Sequence, residues 1–432
     1  MKVVAKITTS ELRYENLEIE EKIEKNNIKI DTNVKYQTHK GFGGALTESS
    51  AYVYSLLSSE QKEEFINAVF GKDGLNYNMA RLTIGSCDFS LASYDYIIDQ
   101  NLDTFNLEHE KKYLFPLLFR ILKMRDMTFM ASSWTPLAFM KDNNDKCHGG
   151  HLKEEFYDEY AEYLVTYIKK MRELNVNITS MTIQNEPEAV QVWESCLFDE
   201  KSEAKLAKCI KNHLNEKELN NIKLFIWDHN RDVIKRRIAN TLKYLNESDF
   251  DGVAYHWYDN WAFSQLTEIH KMLPHKDIFF TEGCVELLIN NNQSGAFSNG
   301  MRYAKNFILD CLNYTNGFFD WNILLDSNGG PNHVGNYCEA PIMYDIKHKK
   351  LIYNYSYLMI KHFSNFVLPN ARRIHISQIK GINTVAYENE DGTIAIIIVN
   401  DYQNMPISFE IDNQHISCYS RKDSVISIML GM

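Results

Sequence analysis

At 432 residues and 50.4 kDa the chain exceeds the usual size of one hydrophobic core, so a large domain with a smaller companion is expected. With 44% hydrophobic and 24% charged residues it can bury a sizeable core without disulfide or metal staples. Lys and Arg total 46 against 57 Asp and Glu; the net charge of −11 would repel phosphate backbones and anionic lipid, which argues against nucleic acid and a membrane surface as partners and favours a neutral substrate.

The opening stretch MKVVAKITTSELRYENLEIEEKIEK has no apolar run of the roughly 7–15 residues that a secretion signal carries. The densest apolar run, Ile394 to Val399, falls far short of the about 20 residues that span a bilayer. Eight cysteines at positions 87, 147, 196, 209, 284, 311, 338 and 418 show no CxxC pair and no metal-ligand spacing, and they read as reduced thiols. A cytoplasmic location is therefore expected. Oligomeric state is left open, with a homo-oligomer allowed.

Along the chain, residues 1–36 alternate apolar and polar, as in NIKIDTNVKYQ, which predicts strands. From residue 38 to 363, short apolar runs alternate with longer segments of helical period. Strands are expected at Lys40–Leu46, Tyr77–Ile84, Thr128–Ser132, Ile178–Gln184, Ile222–Trp227, Gly252–His256, Ile278–Thr281 and Phe318–Ile323. Helical stretches between them include SSEQKEEFINAVF, EHEKKYLFPLLFRILKM, KEEFYDEYAEYLVTYIKKMREL and NGMRYAKNFILDCLNY, the first with an N-cap at Ser58 or Ser59 ahead of acidic first-turn residues. After residue 365 the runs become β-rich, as in RRIHIS, NTVAYENEDGTIAIIIVN, ISFEID and SVISIM, with Asp391-Gly392 as a hairpin signal. The pattern predicts a (β/α)₈ barrel over 37–363 and a β-sandwich side domain built from 1–36 plus 364–432.

Barrel enzymes place chemistry at the C-terminal ends of the strands. Two expected strands, the fourth and the seventh, end in glutamates: Glu186 in Asn185-Glu186-Pro187 and Glu282 in Thr281-Glu282-Gly283. Three strands apart, they can face each other across the mouth. A retaining glycosidase needs such a pair about 5–5.5 Å apart, one to attack the sugar carbon and one to protonate the leaving oxygen. Either glutamate alone could equally be a solvated or ion-paired strand end.

GFGGALTES at Gly41–Ser49, ARLTIGSCDFS at Ala80–Ser90, SSWTPL at Ser132–Leu137, AYHWY at Ala254–Tyr258, TEGC at Thr281–Cys284 and DWNILLDSNGGPNHVGNYCEAPIMYD at Asp320–Asp345 resemble glycoside hydrolase family 30, in its glucosylceramidase-like branch, in order over about 300 residues. The resemblance implies Glu186 as acid/base and Glu282 as nucleophile. It implies that Asp88, Trp134, Asn185, Trp321 and Asn336 line the subsite of the cleaved sugar, that the polar tips of His256 and Tyr258 approach sugar and nucleophile, and that Arg81 lies beneath the nucleophile. Two positions depart from the family pattern: Ser133 stands where a proline is common, and Gly283 where alanine is frequent.

The residue types fit this use, because sugars present hydroxyls at the rim and apolar C–H faces, met by carboxylates and amides on one side and aromatic platforms on the other. Trp134 and Trp321 could instead be core packing, Asp88 a turn cap and His256 a buried hydrogen-bonded histidine. A metal site from Asp228-His229 and His256 lacks the usual spacing, and GFGGA lacks that of a phosphate loop. No metal and no cofactor are expected.

The expected function is a retaining β-glycosidase, foremost an exo-acting β-glucosidase on a carbohydrate substrate. A β-xylosidase or β-1,6-glucanase would use the same pair, and a binding protein on a glycosidase scaffold would be expected to lack one of the two carboxylates.

Overall fold

The computed structural model describes residues 2–259, 261–287, 293–412 and 414–431. Eight parallel strands, numbered here β1 to β8 in chain order, close a barrel: Gly41–Ala45, Met79–Ile84, Thr128–Ser133, Ile178–Thr182, Lys223–Asn230, Gly252–His256, Asp277–Glu282 and Gly317–Asp320, with β8 pairing back onto β1. Each expected barrel strand is present, its ends displaced by no more than three residues. The first expected helix forms over Ser59–Phe70, with Ser58 as N-cap in a capping box with Gln61. The stretch around residues 108–124 splits into a 3₁₀ turn at His109–Lys111 and a helix over Leu114–Leu122. Pro116 accounts for the late start, since a residue without an N–H is tolerated only in a first helical turn.

The period of two along the strands builds the barrel interior in layers. Met79, Met130, Phe225, Ala254, Phe279 and Phe319 pack together as one apolar layer. Two residues further on, the same faces of β2, β3, β6 and β7 carry Arg81, Ser132, His256 and Thr281. Strand β5 breaks the rule. A register shift between Trp227 and His229, with positive φ at Trp227 (76°) and Asp228 (63°), inserts an extra residue. The bulge sends the Trp227 ring against Arg237 and brings Asp228 to the polar layer beside Arg81.

The side sheet has nine strands drawn from both ends of the chain, with Lys2–Thr8 antiparallel to Ser424–Gly431 and Asn27–Thr38 between Arg372–Ile376 and Met405–Ile411. Bulges in its pairing with Arg372–Ile376 let Asn27–Thr38 serve both layers of the sandwich. Ala395, Ile397 and Val399 face the barrel's helices, while Ile396 and Ile398 face the sandwich core with Ile28, Phe409 and Ile428. Burial on both faces explains why Ile394–Asn400 is apolar almost without interruption. His362 on the helix Tyr355–Ser364 joins the units, bonding Thr8 and Ser427 at 2.8 Å each.

Candidate active site

A pocket of about 210 Å³ opens at the C-terminal end of the barrel strands. Asp88, Trp134, Asn185, Glu186, Tyr258, Glu282, Trp321 and Asn336 line it. Of the residues singled out by sequence, only Arg81 and His256 lie beneath it, both fully buried.

Arg81 organises the floor. Its Nε donates to Ser132 Oγ (3.0 Å), Nη1 to Glu282 Oε2 (2.7 Å), and Nη2 to Asn185 Oδ1 (2.9 Å) and Asp228 Oδ2 (2.8 Å). Burial opposes its charge, but Asp228 and Glu282 outweigh burial and hold the guanidinium ionised. Asp228 Oδ1 accepts from Thr281 Oγ1 at 2.6 Å and lies 3.1 Å from His256 Nε2; the other ring nitrogen, Nδ1, is 3.0 Å from Glu186 Oε1. A continuous chain Glu282–Arg81–Asp228–His256–Glu186 thus runs beneath the pocket from one glutamate to the other.

This chain sets the charge states. Burial lowers the proton affinity of His256, but Glu282, Asp228 and Glu186 raise it to about 9. Burial pushes Glu186 up, and the imidazoles of His229 and His256 pull it well below the usual carboxylate range. Burial lifts Glu282 above that range, with His256 and Arg81 recovering part of the shift. Tyr258 Oη donates to Glu282 Oε1 at 3.2 Å. Glu186 itself has φ of +48°, a left-handed conformation that is costly for a side-chain-bearing residue. Its N–H donates to the Asp228 carbonyl at 3.0 Å, so the bulge in β5 also fixes this backbone.

Two buried tryptophans form the far wall. The Trp134 and Trp321 rings stack at 5.3 Å with 24° between their planes, and Arg81 lies 4.8 Å from the Trp134 ring centroid. Asn336 Nδ2 donates to Asp88 Oδ2 at 2.9 Å, while Asp88 Oδ1 is buried and unpartnered. Burial, with Glu282 next, favours the neutral form of Asp88 and raises it to about 8 against the pull of the Asn336 hydrogen bond. Ser133, where a proline is common in the family, accepts from Tyr160 Oη at 2.9 Å, and its carbonyl receives the Asn185 N–H at 2.8 Å.

Glu186, His229 and His256 bring ligand atoms within 4.8 Å of one another, a grouping that could in principle hold a cation. His256 already spends both ring nitrogens on carboxylates and is held protonated, so the set suits a shared proton rather than a metal. Sequence reading did not find the role of Asp228, because the bulge that turns it inward leaves no mark on an apolar run ending at Trp227. His229, Gln191, Trp193, Cys284, Glu286 and Cys338 also line the pocket and were not among the expected site residues.

Residues 39–367 match the model of the glycosyl hydrolase family 30 TIM-barrel domain, and residues 370–428 that of the glycosyl hydrolase family 30 beta sandwich domain. The chain is 28% identical over 388 residues to lysosomal acid glucosylceramidase of Mus musculus, covering 85% of this chain and 75% of that protein. The crystal structure of SrfJ from Salmonella typhimurium superposes with a TM-score of 0.92 at 29% identity, covering all of both chains. The endo-beta1,6-glucanase BT3312 superposes with a TM-score of 0.89 at 26% identity, covering 100% of this chain and 99% of that one.

Proposed function

This chain belongs to glycosyl hydrolase family 30, and from that premise we propose that it is a retaining β-glycosidase with Glu282 as nucleophile and Glu186 as acid/base, acting as an exo-β-glucosidase. One observation carries the reading: two carboxylates, Glu186 four residues beyond β4 and Glu282 at the end of β7, line one pocket and are joined underneath by Arg81, Asp228 and His256. Membership makes the chain a glycosidase.

In the proposed cycle, Glu282 attacks the anomeric carbon while Glu186 protonates the departing oxygen, giving a covalent glycosyl-enzyme. The proton that Glu186 delivers is shared with His256 Nδ1, one hydrogen bond from Glu186 Oε1, and passes to Glu186 when the leaving group draws on it. Arg81 stays beside Glu282, and its charge favours the ionised carboxylate that attack requires. Glu186 then deprotonates water, which releases the sugar with its configuration retained. Asp88, Asn336 and the Trp134–Trp321 stack, in the same pocket, offer hydroxyl contacts and an aromatic face suited to a terminal glucose.

A β-1,6-glucanase is the second reading, favoured by the likeness to BT3312. A panel of 2-deoxy-2-fluoro glycosides with activated leaving groups tests both. The expected result is a covalent adduct on Glu282 formed fastest by the β-glucoside, with β-glucose as the first product by proton NMR. An α-anomer formed first would overturn the retaining mechanism. Release of oligomers rather than glucose from a β-1,6-glucan would favour the second reading.

A further inference from the structure

We propose that Cys284 and Cys338, in the wall of the pocket, form a redox-active dithiol that closes to a disulfide by exchange with a small-molecule disulfide. Their Sγ atoms lie 2.7 Å apart, both residues are 1% exposed, and both line the pocket. Cys284 follows Glu282 by two residues, and Cys338 follows Asn336 by two. The short antiparallel pair of Val285–Glu286 with Cys338–Glu339 brings these segments together. A disulfide bond is about 2.05 Å long, so closure asks the sulfurs to move together by less than about 1 Å.

The chemistry balances without the protein supplying an oxidant. The Cys284 S–H donates to Cys338, which makes Cys338 the better-supported thiolate. Its sulfur attacks one sulfur of R–S–S–R, breaking that bond and expelling RS⁻. The Cys284 thiolate then attacks the mixed disulfide at the Cys338 sulfur, forming the Cys284–Cys338 bond and expelling the second RS⁻. The two cysteine protons end on the two RSH molecules, and two electrons pass from the protein to the reagent. Burial raises both thiols, which slows random oxidation, and their place in the pocket wall gives a small disulfide its route to them.

Closure ties the segment carrying Asn336 to the strand end carrying Glu282. Tyr258 Oη lies 3.5 Å from Cys284 Sγ and donates to Glu282 Oε1 at 3.2 Å, so closure takes place beside the nucleophile's own partner. The cross-link spans 54 positions, enough chain to stabilise the folded state through the unfolded one.

The test reads thiols only, so it stands apart from the identity of the sugar. The full chain is equilibrated in glutathione buffers of rising oxidised fraction, acid-quenched, unfolded, alkylated and mapped by mass spectrometry. Alkylation of Cys284 and Cys338 is expected to disappear together, with one cross-linked peptide pair that dithiothreitol reverses, while the buried thiols Cys87, Cys196, Cys311 and Cys418 stay alkylated. The oxidised protein is expected to melt several degrees higher, and Cys338→Ala to abolish that shift. Should the variant fail to fold, the wild-type map alone decides. Eight alkylated thiols at every buffer ratio, a cross-link between another pair, or only glutathione adducts would overturn the proposal.

Discussion

Arg81 and Glu282 form a buried ion pair at 2.7 Å, and the same guanidinium holds Asp228 at 2.8 Å. One cation therefore fixes the end of β7 against the bulge in β5. Removing it would leave two buried carboxylates with the His256 imidazolium as their shared counter-charge.

Arg81→Met is expected to destabilise the protein by roughly 3–5 kcal/mol, the usual consequence of breaking a buried ion pair from one side. Arg81→Lys keeps the charge but cannot reach Ser132, Asn185, Asp228 and Glu282 at once, so kcat/KM should fall more than the urea midpoint. Urea unfolding beside aryl-glucoside kinetics separates the two effects. Wild-type kcat/KM in Arg81→Lys would show that the fork geometry is dispensable.

Glu282→Gln should reduce turnover to background with every substrate. Glu186→Ala should lose roughly 10²–10⁴ in kcat where the leaving group needs a proton, and far less on a dinitrophenyl glycoside that needs none. Azide should restore turnover in Glu186→Ala as a β-glycosyl azide. Equal losses of Glu186→Ala on both substrates would remove Glu186 from the acid/base role.

The pH dependence follows from His256, whose neighbours Glu282, Asp228 and Glu186 raise its affinity for a proton from the ordinary imidazole value of 6.5 to about 9 in the folded protein. A group raised on folding contributes stability that is fully present below pH 6.5 and is lost as pH climbs through about 9; the amount is on the order of 3 kcal/mol. The wild type should therefore lose stability across that window, and His256→Gln should show a flatter profile. The alkaline limb of kcat/KM should also move to lower pH in His256→Gln, because Glu186 then holds the proton without its partner. An unmoved limb would mean that His256 takes no part in that ionisation.

Gly283→Ala puts the alanine that is frequent in the family after the nucleophile. A Cβ there would meet Phe280 Cζ at 2.5 Å and the Trp257 ring at 2.6 Å. Overpacking of this kind costs about 1–3 kcal/mol, and the displacement falls next to Glu282. Calorimetry should show a lower Tm, and kcat should fall as well. Pairing Gly283→Ala with Trp257→Phe should recover part of the loss.

The barrel was legible in the sequence because its strands are apolar runs bounded by turns, and Gly252–His256 falls where the pattern puts it. The Asp391-Gly392 hairpin formed for the same local reason, with Gly392 at φ of +81°. Glu186 and Glu282 were legible as polar ends of such runs. Asp228 was not, because its direction depends on a bulge whose left-handed backbone at Trp227 and Asp228 is imposed by neighbouring strands. The last-but-one strand of the side sheet, Gln414–Ser420, was missed too: QHISCYS is a weak pattern that becomes a strand by pairing with Met405–Ile411. His256 and Tyr258 share a motif, yet the fold buries one beneath the pocket and leaves the other on its wall.

The ladder between Lys2–Thr8 and Ser424–Gly431 sets a schedule for biosynthesis. A ribosome adding about 5–20 residues per second releases the first of these strands tens of seconds before its partner exists. The eight barrel strands emerge in the interval, so all of the barrel's sequence is made while the edge of Lys2–Thr8 that pairs with Ser424–Gly431 has no partner. That edge is the feature a holding chaperone would recognise, and a circular permutant that joins these two strands by a short loop should fold with less need of one.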